Sequence, residues 1–202
     1  MYKQLEVTIR GVTPCMMHNG RTASPLDPIA KEMRRVHSKK SKTDADHELL
    51  AYLEWLGALY TTAPGVFQVA GHEVLVEGFG APCWPGECIE AMLVSAAKKN
   101  KLGQQFKAGL ICDGNWPLLY DGPRDIGALM RDPAFRDSRM VVVSRARVTR
   151  TRPVFHQWRL GFTLHFLPDL LNESQVRDAV VAAGRLVGLG EYRPKFGRFE
   201  LE

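Results

Sequence analysis

Cysteine is sparse in these 202 residues, and its four copies, Cys15, Cys83, Cys88 and Cys112, have neither the density nor the spacing of a disulfide scaffold. Cys83 and Cys88 stand five apart, outside the gap of about two to four residues used by zinc knuckles. Reduced thiols in a cytoplasmic protein are the expectation. No apolar run reaches the roughly 20 residues of a membrane span, and the opening MYKQLEVTIRG reads as a strand and not as a signal peptide. No membrane partner is expected. Gly188-Leu189-Gly190 lacks the third glycine and the strand-to-helix setting of a dinucleotide fingerprint, and neither a Walker-type lysine motif nor a Gly-x-Ser-x-Gly elbow occurs. His37 and His47, ten apart on a charged segment, make no metal pair. Neither a cofactor nor a metal site is expected.

The sharpest absence is local. From Ser138 to Pro168 there is no Asp or Glu, while six arginines occur: Arg139, Arg145, Arg147, Arg150, Arg152 and Arg159. The overall formal charge of +5 is mild and says little about partners. This stretch says more, because arginine without lysine favours bidentate phosphate contact and stacking over diffuse attraction. On a strand, Arg145, Arg147 and Thr149 share one face and Ala146 and Val148 the other. The bland reading is an edge face kept soluble by charge.

Hydrophobic residues make up 45% of the chain, enough for a core. Leu5 to Arg10 alternates apolar and polar residues, as a half-buried strand does. Residues 11–28 carry loop chemistry. Ile29 to Lys42 is densely basic; the cluster at 31–42 reads as a flexible arm, with plain solvated surface as the bland alternative, and contact of Lys39 and Lys40 with nucleic acid is expected to carry no sequence preference. Asp44 to Leu59 has helical leucine spacing. Phe67 to Val69 and Glu73 to Val76 suggest a short strand pair. Glu87 to Lys99 is a helix entered through Pro85-Gly86, and Leu110 to Cys112 and Leu118 to Tyr120 are short strand candidates. Arg124 to Arg139 is polar and expected at the surface. Met140 to Arg150 is expected to be one long strand, paired with Trp158 to Leu167. Asn172 to Val187 reads as a helix capped by Asn172 or Ser174, and Arg198 to Leu201 as the last strand.

Histidines are weaker signals. His18 follows the first strand, where functional loops occur. His156, between Phe155 and Trp158, reads as packing. The terminal GLGEYRPKFGRFELE, Gly188 to Glu202, combines glycine, basic and aromatic residues. Its glycines shape the turn after the last helix, and Arg193, Lys195 and Arg198 carry the binding charge.

The LEVTIRG strand, the WPGECIEAMLVSAAKK helix entry (84–99), the arginine-rich strand and the late VGLGEYRPKFGRFEL turn (187–201) together resemble the RAMP proteins of CRISPR antiviral systems, above all the backbone subunits that polymerise along guide RNA. The ending is also similar to that of proteins encoded in tailed-phage genomes. The resemblance implies an α+β fold: one RAMP-like domain over 1–202 with a ferredoxin-like (RRM-like) core and insertions at about 11–60 and 113–138. It implies a non-catalytic protein that binds single-stranded nucleic acid, RNA in that family, and forms a homo-oligomer or a ribonucleoprotein. Arg145, Arg147, Arg150, Arg152, Arg159, Arg193, Lys195, Arg198, Lys39 and Lys40 are the expected contacts. Two other readings stay open: a metal-independent endoribonuclease with His18 or His37 as base, and a phage protein that works through protein contacts.

Overall fold

The computed structural model describes residues 1–143 and 145–202. In chain order the first elements are β1 (Lys3–Gly11), β2 (Cys15–Met16), α1 (Pro28–His37), α2 (Asp44–Ala58), β3 (Val66–Ala70), β4 (Glu73–Glu77) and β5 (Cys83–Pro85). There follow α3 (Gly86–Ala97), α4 (Gly103–Gly109), β6 (Leu110–Ile111), β7 (Asn115–Tyr120) and α5 (Ile126–Arg131). The last are β8 (Arg136–Val143), β9 (Ala146–Phe155), β10 (Trp158–Phe166), α6 (Glu173–Ala182) and β11 (Phe199–Leu201). The fold is α+β, and every strand pair named below is antiparallel. Among the described residues no helix is long and apolar enough to cross a membrane. The chain divides into two compact units: Met1–Met16, Pro82–Asp121 and Phe155–Glu202 form the first, and Met17–Ala81 and Gly122–Val154 the second.

The first unit is built on a sheet of order β11-β1-β10-β7-β5, with β6 beside the end of β10. The alternation of Leu5, Val7 and Ile9 places them opposite Leu164, Phe162 and Leu160, and all six are buried. Period-two patterning thus puts one apolar face on the two central strands. Buried Ile89, Met92 and Leu93 of α3 and Val176 and Val180 of α6 also belong to this core. α6 starts in a capping box, with the Asn172 side chain accepting from the Gln175 N–H and the Gln175 side chain accepting in return from the Asn172 N–H, both at 2.9 Å. The opposite sheet face is polar: Thr8 faces Gly161, and Arg10 faces Arg159.

In the second unit α1 packs on α2, and the β3–β4 hairpin and α5 complete its core around buried Leu49, Leu53, Leu56, Val74 and Leu129. The Trp55 indole N–H donates to the Phe135 carbonyl at 2.8 Å. Two expectations fail here. The basic segment is no loose arm. Asp27 caps α1 with its side chain, accepting from the Ile29 and Ala30 N–H groups, and Ile29, Ala30 and Val36 bury one stripe of the helix beneath the charges. The 124–139 segment likewise contains α5, whose Ile126, Leu129 and Met130 are buried.

Candidate nucleic-acid interface

The stretch expected to be one strand is a hairpin. β8 pairs with β9 in a register that runs from Arg136↔Pro153 to Val143↔Ala146, and Arg145 sits at the reversal with φ 70°. Ser144, which falls within the expected strand, lies outside the described residues. β10 pairs with β1, β6 and β7 in the first unit instead. The valine run and the alternation after it belong to two different strands, joined by a turn without glycine or proline.

The register sorts the arginines by face. Met140 faces Thr149 and Val142 faces Arg147, and these four make an exposed outer face. Met140 and Val142 are each 70% exposed. Val141 faces Val148, Arg139 faces Arg150 and Asp137 faces Arg152; these make the half-buried inner face. Arg139 is held by Asp137 on the same strand. Arg150 reaches across to α2 and pairs with Glu54, whose other oxygen accepts the Thr151 N–H at 2.9 Å. Arg145, Arg147 and Thr149 are exposed, while Arg150 and Arg152, on the other face, turn inward.

Inward of the hairpin lies a cavity of about 590 Å³. His18, Arg34, His37, Glu54, Arg150 and Arg152 line it, and Ala30, Met33, Ala58 and Val141 add apolar lining. Asn19 fixes the segment after His18: its side chain accepts the Arg21 N–H at 3.1 Å, and its own N–H donates to the Ala58 carbonyl at 2.9 Å. His37 stands at the C-terminal end of α1. Burial holds its imidazole pKa below the ordinary value; Glu54 opposes this shift, and Lys42 and Arg150 add to it. The two histidines weakly marked in the sequence therefore both line this cavity. Arg34 and Glu54 were missed, because each reads locally as a solvated helix charge.

Lys39 is tied to buried Asp46 at 2.5 Å, and Lys42 donates to the Lys39 carbonyl at 3.2 Å. Lys40 is exposed.

The remaining expected contacts belong to the first unit. Arg159 and Arg10 both reach Glu202, at 3.3 and 3.5 Å, and Arg10 also reaches Glu200 at 3.4 Å, so Arg159 already holds a carboxylate. The terminal turn is pinned by its backbone. The Leu189 N–H donates to the Gly197 carbonyl at 2.8 Å, the Gly197 N–H to the Pro14 carbonyl at 2.7 Å and the Glu191 N–H to the Met16 carbonyl at 2.8 Å. Gly197 has φ +76°, and a Cβ there would meet the Leu189 carbonyl oxygen at 1.9 Å. The glycines thus shape the turn. The Arg198 guanidinium donates to the Pro194 carbonyl at 2.8 Å. Arg193 and Lys195 are exposed, and Arg193 lines a shallow hollow with Lys99 and Tyr192.

No protein-family model matches the chain, and no curated protein matches it.

Proposed function

We propose that this chain is a non-catalytic cytoplasmic protein that binds single-stranded nucleic acid, RNA by its resemblance to the RAMP proteins, and oligomerises along that ligand. The outer face of the β8–β9 hairpin carries this reading. It sets exposed Arg147, with Arg145 at the tip, beside Met140 and Val142. Unpaired strands offer alternating phosphates and apolar base faces, so a surface of arginine and apolar side chains complements both.

The order of the first unit's sheet supports the fold side of the proposal. Read along the chain, β1, α3, β7, β10, α6 and β11 follow a βαββαβ sequence, with spatial order β11-β1-β10-β7. This is the pattern of a ferredoxin-like core. The segments of the second unit would then enter the sequence after β1 and between β7 and β10.

Fluorescence anisotropy with oligouridylate and oligothymidylate, titrated with salt, tests the binding. Arg145→Ala with Arg147→Ala should weaken it at least tenfold and lower the log–log salt slope by about 1.4, from roughly 0.7 per phosphate contact. Unchanged affinity and slope would sink the proposal. Light scattering on oligomers of increasing length should give mass steps of one 22.7 kDa chain plus its share of nucleic acid.

One observation favours the endoribonuclease reading: His18 and His37 line the same cavity. It requires cleavage of RNA hairpins in the presence of a chelator, abolished by His18→Ala.

A further inference from the structure

The geometry points to the cavity of the second unit as a binding site for the phosphate group of a nucleotide-sized ligand. Its volume of about 590 Å³ falls within the roughly 300–1,000 Å³ of small-molecule sites. The charge of its wall is one-sided. Among the described residues that line it, Arg34, Arg150 and Arg152 stand with His18 and His37, and Glu54 is the one acid. That carboxylate is already satisfied, by the Arg150 guanidinium on one oxygen and the Thr151 N–H on the other. An acidic or neutral polar ligand thus meets guanidinium and imidazole, with no bare carboxylate to repel it.

Arg34 uses one of its five donors on the Pro25 carbonyl, which steadies the fork while leaving the others for a ligand. A guanidinium fork matches two phosphate oxygens. His37 is exposed but partly desolvated, which lowers its imidazole pKa; an anion beside it favours the charged form. The apolar lining residues Ala30, Met33, Ala58 and Val141 offer contact for a base or sugar, and a phosphate ion alone would leave them uncovered. The phosphate is either the monoester of a free nucleotide or a phosphodiester inside a bound strand, and the wall chemistry serves both.

The inference does not rest on the outer face of the hairpin, since Met140, Val142, Arg145 and Arg147 are not among the cavity's lining residues. Isothermal titration of the full chain with adenosine 5′-monophosphate, inorganic phosphate, adenosine and a 5′-hydroxyl oligouridylate separates the possibilities. Adenosine monophosphate should bind and phosphate should compete with it, while adenosine should give no heat. Arg34→Ala and His37→Gln, both exposed positions, should each weaken binding at least tenfold with the thermal midpoint unchanged. The hairpin variant Arg145→Ala with Arg147→Ala should bind adenosine monophosphate as the native chain does, even if it loses the strand. If only the oligouridylate binds, and Arg34→Ala and His37→Gln weaken it, the phosphodiester is the source and the site stands. If no phosphate-bearing probe binds, or binding ignores both cavity variants, the proposal is overturned.

Discussion

Glu54 joins helix α2 to strand β9 by holding the Arg150 guanidinium with one carboxylate oxygen and accepting the Thr151 N–H with the other. The side chains are only 10% and 34% exposed, so the pair is partly desolvated. It sets the base of the hairpin and one wall of the cavity together. It also takes Arg150 out of the set of solvent-facing cations that the acid-free stretch suggested.

Removing Glu54 should therefore destabilise the second unit. Glu54→Ala leaves a half-buried guanidinium and a backbone N–H without their acceptor, a loss on the order of 2 kcal/mol. Glu54→Gln keeps a carbonyl oxygen for the Thr151 N–H and should lose about half as much. Urea unfolding followed by far-UV circular dichroism measures both. Equal midpoints for Glu54→Ala and the native chain would show that the pair holds nothing in place.

The terminal glycines make a second prediction. Gly197→Ala combines a φ of +76° with a Cβ 1.9 Å from the Leu189 carbonyl oxygen, whereas Gly114 has φ +94° and nothing within 4 Å of an added Cβ. Strain alone at Gly114→Ala should cost about 1–2 kcal/mol. Gly197→Ala adds a backbone collision and should lower the thermal midpoint further. Nucleic-acid affinity of the folded fraction should stay unchanged in both. An affinity loss at Gly197→Ala without a stability loss would reassign that glycine from turn to ligand.

Thiol chemistry provides a third. Burial raises the pKa of the Cys15 thiol well above its ordinary value and pushes Cys83 and Cys112 up to about 12, while Cys88 is half-buried. Since the thiolate is the nucleophile, native-state alkylation with iodoacetamide should label Cys88 first. The other three should react only after denaturation. Early labelling of Cys83 or Cys112, read by mass spectrometry, would contradict this packing.

Legibility in the sequence followed periodicity. Leu5, Val7 and Ile9 and the Leu160–Phe166 alternation specify β1 and β10, since a period of two on half-buried strands leaves one register. The hairpin was illegible because Val141 to Val143 and the alternating residues after it make one continuous strand signal. The reversal depends on Arg145 adopting φ 70°, a conformation for which arginine gives no local cue. In α1, three cations and a histidine, with Lys39 and Lys40 following at once, hide Ile29, Ala30, Met33 and Val36, whose spacing is helical. The cavity was only half legible. His18 and His37 are conspicuous residue types, but Glu54 gains its role from a strand 96 residues away.

Asp46 provides a pH-dependent prediction. Only 2% exposed, it accepts from Lys39 at 2.5 Å and from the Thr43 N–H and hydroxyl at 3.0 and 3.1 Å, and His72 Nε2 lies 3.3 Å from the same oxygen that Lys39 holds. The Lys39 hydrogen bond first, and the Thr43 backbone N–H next, hold its carboxyl far below the ordinary carboxylate range. Because the folded pKa is depressed, the associated stability is fully present above the unfolded value of about 4 and is lost as pH falls through the folded one. Asp46→Asn removes this ionisation together with the charged cap of α2. The variant should be less stable than the native chain at neutral pH, and the gap should narrow steadily below about pH 4. Lys39→Ala should reproduce part of the neutral-pH loss and part of the flattening. Urea midpoints measured from pH 7 down to about 2.5 give the comparison, and a gap that stays constant with pH would show that the Asp46 charge does not stabilise the fold.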